Sequence, residues 1–145
     1  MYKGMLLLHV LGACVWVGGH LVLCLVVLPK SLRKKDPSLI LNFEKNYEPI
    51  GIPSLFVQVI SGLWFAFYFY KTGLFSFQNP AAVIVSLKFI LLLGIVAAAI
   101  HARFFIIPKL SKKNLKAMAF HIVFVTLLSI LLLYLGVSFR FGAVI

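Results

Sequence analysis

Four histidines lie in an otherwise strongly apolar chain, and their spacing is the first feature that could carry chemistry. His9 and His20 share an apolar run from about 5 to 28, which can cross a bilayer because roughly 20 apolar residues suffice. At about 100° per residue, the two imidazoles fall about 20° apart around a helix, with Trp16 on the same side. An imidazole inside hydrocarbon is costly without a partner, so each is a candidate ligand.

A layer of polar side chains is predicted in the half of the membrane next to the basic loops. We estimate the depth of each side chain by counting residues from the end of its span next to the basic loops, at about 1.5 Å per residue. By this estimate each span has one polar side chain at a similar depth. These side chains are His20, Gln58, His101 and His121. His9 lies apart from the layer, near the depth of Lys88 in the third span.

Three interpretations of this layer stay open. The first is a copper site, because imidazole suits copper and sulfur atoms lie one turn away. Its candidate ligands are His20, His101, His121, Cys24, Met118 and His9. The second is haem b between two axial ligands, with His9 and Lys88 or His20 and His121 holding the iron. The third is a set of hydrogen-bonded imidazoles that only join helices.

The composition indicates an integral membrane protein. Hydrophobic residues make up 63% of the chain and charged residues 12%, with a mean hydropathy of +1.10. Soluble domains have about 25% charged residues. The net charge of +11 comes from basic residues in short loops beside the apolar runs. It therefore favours membrane orientation and anionic lipid over nucleic acid as the partner of these residues.

Four apolar spans are predicted, at about 5–28, 51–70, 81–107 and 115–139. Short loops between them favour an all-α antiparallel four-helix membrane bundle, with residues 1–145 as one domain. Pro29 and Lys30 should end the first helix. Asp36 and Pro37 are typical of a helix start, and they predict a short interfacial helix over 37–47.

The loop charges also predict an orientation and limit the chemistry. The first and third connections carry most of the Lys and Arg residues, so both are expected in the cytoplasm with both termini outside. All three acids lie in the first connection, at Asp36, Glu44 and Glu48. No span is therefore expected to contain an acid, and catalysis by paired carboxylates inside the bilayer is excluded. Whether the protein is an enzyme stays open.

Several stretches resemble the transmembrane domain of the copper-resistance D (CopD) family. They are Leu8–Leu11, Val15–Gly19, Ser61–Leu63, Lys88–Leu93, Ala102–Arg103 and Pro108–Leu110. The resemblance implies copper movement or copper tolerance at the bacterial inner membrane. It also implies functional roles for His9, Trp16, Gly18, Gly19, Lys88 and Arg103.

A more distant resemblance is to the HemJ-type protoporphyrinogen oxidases. Those four-helix membrane proteins carry a histidine in the first span and a lysine in the third, which His9 and Lys88 match. This resemblance implies haem b and a haem-dependent oxidoreductase activity. A redox partner, a larger membrane complex and a homodimer are the protein partners left open.

Overall fold

The computed structural model describes residues 2–69 and 80–140, which form four helices. Helix α1 is Tyr2–Lys34 and α2 is Ser38–Phe69. Helix α3 comprises Pro80–His101, a π-helical segment Ala102–Ile106 and a 3₁₀ turn Ile107–Lys109, and α4 is Leu115–Arg140. Each is long and apolar enough to cross a membrane. The predicted all-α membrane bundle with four spans is confirmed.

Helix α1 holds the bundle together. It packs between α2 and α4, and α4 packs in turn against α3, whereas α2 and α3 hardly approach each other along their described lengths. Midway along the bundle Trp16, Val17, Ile95 and Val125 form one buried cluster. Towards the basic loops a second buried cluster forms, made of Leu23, Leu28, Ile40, Leu115, Met118 and Ile122.

Pro29 does not end the first helix, so that prediction is wrong. The helix runs through Pro29 to Lys34, and the residues before the proline, Leu23–Val27, form a π-helical segment. In this wider turn the N–H of Leu28 donates to the carbonyl of Leu23. A proline lacks an N–H and crowds the carbonyl four residues earlier, and the π turn provides the space. The helix instead ends at Lys35, which adopts the left-handed conformation at φ 50°.

The predicted interfacial helix over 37–47 is helical but is not a separate element. Helix α2 runs without a break from Ser38 to Phe69, although Pro49 and Pro53 lie inside it. Its start matches the prediction, since the Asp36 carboxylate accepts hydrogen bonds from the backbone and hydroxyl of Ser38, at 3.0 and 2.6 Å. These bonds hold the pKa of Asp36 below its usual range.

Helices α1 and α3 repeat one pattern at one chain interval. Pro29 and Pro108 are separated by the same number of residues as Lys30 and Lys109. The same number of residues separates the π-helical segments Leu23–Val27 and Ala102–Ile106. The two helices run in the same direction and therefore place equivalent positions at equal height above their prolines. His9 and Lys88 are one such equivalent pair.

Tyr47 sets the register between α1 and α2. Its hydroxyl donates to the carbonyl of Val15 at 2.9 Å, and its ring lies over the backbone of Gly19. A side chain at Gly19 would overlap this ring. Further along the contact, Gly12 lies against Ser54 and Gln58. Small residues thus let the two helices approach closely.

We predict that Gly19→Ala destabilises the protein by about 1–3 kcal/mol, the usual cost of overpacking. The added methyl would displace the Tyr47 ring and with it the hydrogen bond to Val15. Gly18→Ala is the matched control, because a methyl group there meets no atom within 4 Å. It should be neutral or stabilising, since Ala favours helix over Gly by about 0.5–1 kcal/mol. The measurement is unfolding in SDS followed by circular dichroism. Equal losses in both variants would contradict the role of Tyr47.

Candidate functional site: the intramembrane histidines

His20 is held by its own helix and by two neighbouring rings. Its Nδ1–H donates to the carbonyl of Trp16 at 2.9 Å. The Trp16 ring lies 4.4 Å away and the Tyr47 ring 6.3 Å away, between centroids. Because a carbonyl only accepts, the hydrogen-bond network assigns the proton to Nδ1 and leaves a lone pair on Nε2. In this tautomer the histidine can bind a metal through Nε2 while its Nδ1–H holds the ring in place.

Trp16 is itself anchored across the bundle. It is 8% exposed, and its indole N–H donates to the Ser129 hydroxyl of α4 at 3.2 Å. The Ser129 hydroxyl donates in turn to Val125 at 2.8 Å. Both hydrogen-bonding groups of this buried pair are therefore satisfied, and α4 determines where the Trp16 ring faces His20.

His101 and His121 form a pair between α3 and α4. Their ring centroids are 6.0 Å apart, with 43° between the ring planes. His101 is exposed on the outside of the bundle, stacked on Phe105, whereas His121 is half-buried. His121 also lies within electrostatic range of His20. The structure thus brings His101 of α3 and His121 of α4 together, with His20 of α1 within electrostatic range of His121.

Gln58 does not belong to this layer, and its predicted depth is wrong. Its side-chain amide instead donates to the backbone carbonyl of His9. The depth counted from Gly51 is wrong because α2 begins at Ser38, so each residue of α2 lies further from the basic loops than the count placed it. At the depth of His20, α2 contributes Tyr47. No pattern in the sequence predicts that Tyr47 rather than Gln58 lies at the depth of His20, because this depth depends on how α1 and α2 contact each other.

His9 lies in the half of the bundle away from the basic loops, and its tautomer is defined. Its Nδ1 is 2.7 Å from the Ser61 hydroxyl, which donates its own hydrogen to the Val57 carbonyl. The network therefore assigns the proton to Nδ1 of His9 and a lone pair to Nε2. Lys88 is close enough to interact electrostatically with His9, and its Nζ approaches Gly136 of α4. The absent side chain at Gly136 leaves room for the amine.

Arg103 bridges α2 and α3, which make few other contacts along their described lengths. Its guanidinium pairs with the Glu48 carboxylate at 3.0 Å, with the side chains 52% and 30% exposed. Since α2 is one continuous helix, Glu44 and Glu48 belong to a candidate membrane span, Ser38–Tyr68. Helix α2 has 32 residues, more than the roughly 20 that cross a bilayer, so the expectation that no membrane-crossing stretch contains an acid stays a prediction. Carboxylates lie in the same half of the bundle as the histidine layer.

The two sulfur candidates lie in an apolar setting. Met118 is 1% exposed inside the second buried cluster, and Cys24 packs against that cluster. Within residues 2–69 and 80–140, no three side chains of His, Cys, Asp or Glu are grouped closely enough to hold a metal ion. At the centre of the bundle a cavity of about 50 Å³ is lined by Trp16, Gln58 and Ser129 among apolar residues.

No protein-family model, curated protein or solved structure matches this chain. Its function must therefore be argued from its own geometry.

We predict that Ser129→Ala leaves the buried Trp16 N–H without an acceptor and costs about 1–3 kcal/mol of unfolding free energy. In a Trp64→Phe background the remaining indole emission should also shift, because its hydrogen bond is lost. Ser54→Ala is the control, since the Ser54 hydroxyl donates to Gly51 of its own helix. A Trp16 emission spectrum that does not change in Ser129→Ala would refute the anchoring role.

Proposed function

We propose that this chain is a copper-handling membrane protein that binds the ion through His101 and His121, with His20 beside them. The ring pair carries the proposal. Two imidazoles on opposite sides of one ion, each bound at about 2 Å, have centroids about 6 Å apart, and the pair has 6.0 Å. Imidazole suits copper, and copper(I) accepts few ligands.

The surroundings of His20 support the same proposal. Its assigned tautomer keeps Nε2 available, and the neighbouring Trp16 ring offers an aromatic face to a cation. His20 lies within electrostatic range of His121 and would have to move closer to join the pair, because no three such side chains of the described residues are grouped closely enough to hold a metal ion. Cys24 and Met118 remain candidate soft ligands on the adjoining turns.

The proposed location is the bacterial inner membrane, in keeping with the CopD resemblance. The connections that follow α1 and α3 carry the basic residues, which favours their placement in the cytoplasm with both termini outside. In this orientation the proposed copper ligands lie in the cytoplasmic half of the membrane.

We predict that His101→Ala lowers the copper bound by purified protein severalfold, because one imidazole of the pair is lost. His121→Ala should act in the same way. His9→Ala is the control, since His9 lies in the outer half of the bundle and pairs with Ser61. Metal analysis after equilibration with copper(I) gives the stoichiometry. Copper binding by His101→Ala and His121→Ala that equals wild type would end the proposal.

Haem b is the second candidate, and one observation favours it. His9 and Lys88 occupy equivalent positions on parallel helices, and His9 keeps Nε2 free. Haem b would supply one-electron chemistry there, with His9 and Lys88 as the residues that hold it. The central cavity of about 50 Å³ is lined by neither His9 nor Lys88, so it offers no support for haem between them. Copper is preferred because His101 and His121 form a ring pair with a defined separation.

We predict that the protein purifies without a Soret absorption band and remains colourless with copper(I). A red preparation with a sharp Soret band that is lost in both His9→Ala and Lys88→Ala would instead establish the haem alternative. Lys109→Ala is a matched lysine control, since its side chain is exposed beside the basic loop.

A further inference from the structure

The side of the bundle between α2 and α3 is its least packed side. Helix α1 packs against α2 and α4, and α4 packs against α3, whereas α2 and α3 make few contacts along their described lengths. Both helices line the central cavity of about 50 Å³, α2 with Leu55 and Gln58 and α3 with Leu92 and Ile95. Trp16 of α1 lines the same cavity. Helices α2 and α3 are therefore two walls of one cavity that little holds together.

One charged contact joins these two walls at the end next to the basic loops. The Arg103 guanidinium of α3 lies 3.0 Å from the Glu48 carboxylate of α2, and both side chains are partly exposed. Leu55 follows Glu48 by about two helical turns, and Leu92 precedes Arg103 by about three, so each helix has its charge and its cavity residue on one side. The ion pair therefore closes one end of the gap that contains the cavity.

Both partners of the pair lie on irregular parts of their helices. Pro49 directly follows Glu48, and Pro53 lies one turn further inside α2. Neither proline has an N–H, so the helix lacks two of its backbone hydrogen bonds there, and helices bend at such positions. Arg103 lies in the π-helical segment Ala102–Ile106. Each partner is therefore attached where its helix can bend.

The pair is also weak compared with the contacts around it. A partly exposed ion pair contributes little to stability, whereas the two apolar clusters bury large side chains that cost several kcal/mol to unpack, about 1.5–3 kcal/mol each. The contact between α2 and α3 can thus break while the clusters stay packed.

We propose that the Arg103–Glu48 ion pair is a latch on a lateral opening between α2 and α3, through which acyl chains of the surrounding lipid reach the central cavity when the pair breaks. Apolar side chains make up most of the cavity lining. All four helices are long and apolar enough to cross a membrane, so the side between α2 and α3 faces lipid. An acyl chain is therefore the group that this opening meets.

The test measures how strongly phospholipids brominated near the middle of their acyl chains quench Trp16 fluorescence. Trp64→Phe leaves Trp16 as the one tryptophan, and Trp16 lines the cavity while it is 8% exposed. Arg103→Glu should increase the quenching at least twofold over the Trp64→Phe parent. The new carboxylate would repel Glu48 and also Glu44, which lies within electrostatic range of both members of the pair.

Two control variants separate the ion pair from a general effect of charge. Arg103→Lys keeps the positive charge opposite Glu48 and should leave the quenching at the parent level. Lys109→Glu makes the same change of charge at the exposed end of α3, and it should also leave the quenching unchanged.

A cross-link tests the latch within a single protein. The background carries Trp64→Phe with Cys14→Ser and Cys24→Ser, since these are the chain's two cysteines. Glu48→Cys and Arg103→Cys are then joined by a short bis-maleimide. The joined protein should show at least twofold less quenching of Trp16 than the same protein treated with N-ethylmaleimide, which modifies both thiols without joining the helices.

Three results would overturn the proposal. One is equal quenching in Arg103→Glu and its parent, and another is equal quenching in the joined and the N-ethylmaleimide-treated protein. The third is an increase in Lys109→Glu as large as that in Arg103→Glu. The cross-link decides the matter where Arg103→Glu does not fold. These measurements contain no copper, so their failure leaves the proposed function standing, and failure of copper binding leaves this proposal standing.

Discussion

The contact of Tyr47 with α1 is the constraint on which the arrangement of the other side chains depends. The Tyr47 hydroxyl bonds the backbone of Val15, and its ring occupies the space that Gly19 leaves open. A hydroxyl buried between helices must find an acceptor. Together the bond and the close approach allow one register between α1 and α2. Sliding α2 by one turn would lose the bond and drive the ring into a side chain.

This register distributes the polar groups of the bundle. In this register Gln58 contacts the backbone of His9, and Tyr47 lies beside His20. The charged start of α2 then lies beside the apolar cluster that contains Leu23. The histidine layer therefore receives an aromatic ring from α2 in place of an amide. The two intramembrane regions, one around His9 and the other around His20, follow from one contact.

The prolines shape the other side of the bundle. Pro29 and Pro108 are each preceded by a π-helical segment. Helix α1 continues through Pro29 to Lys34, whereas α3 ends in the 3₁₀ turn Ile107–Lys109. The π-helical segment of α3 carries Arg103, which pairs with Glu48 and joins α2 to α3 where the described residues make few other contacts. An ion pair at this position offsets the cost of placing charge beside apolar helices. Asn42, Lys45 and Asn46 are exposed on the same helix as Glu48.

The sequence by itself determined the number and the kind of the elements. Long apolar runs can satisfy their backbone groups in a bilayer only as helices, so four runs meant four helices. It also identified the start of α2, because Asp36 and Ser38 act on their own backbone. Only the tertiary structure decided that the chain continues through Pro29, that Gln58 leaves the histidine layer and that His101 meets His121. A proline ends a helix or is accommodated inside it according to whether the longer helix gains packing contacts. The depth of a side chain depends on the register between helices. Both depend on contacts between residues that are far apart in the chain, and the periodicity of a single helix carries no information about such contacts.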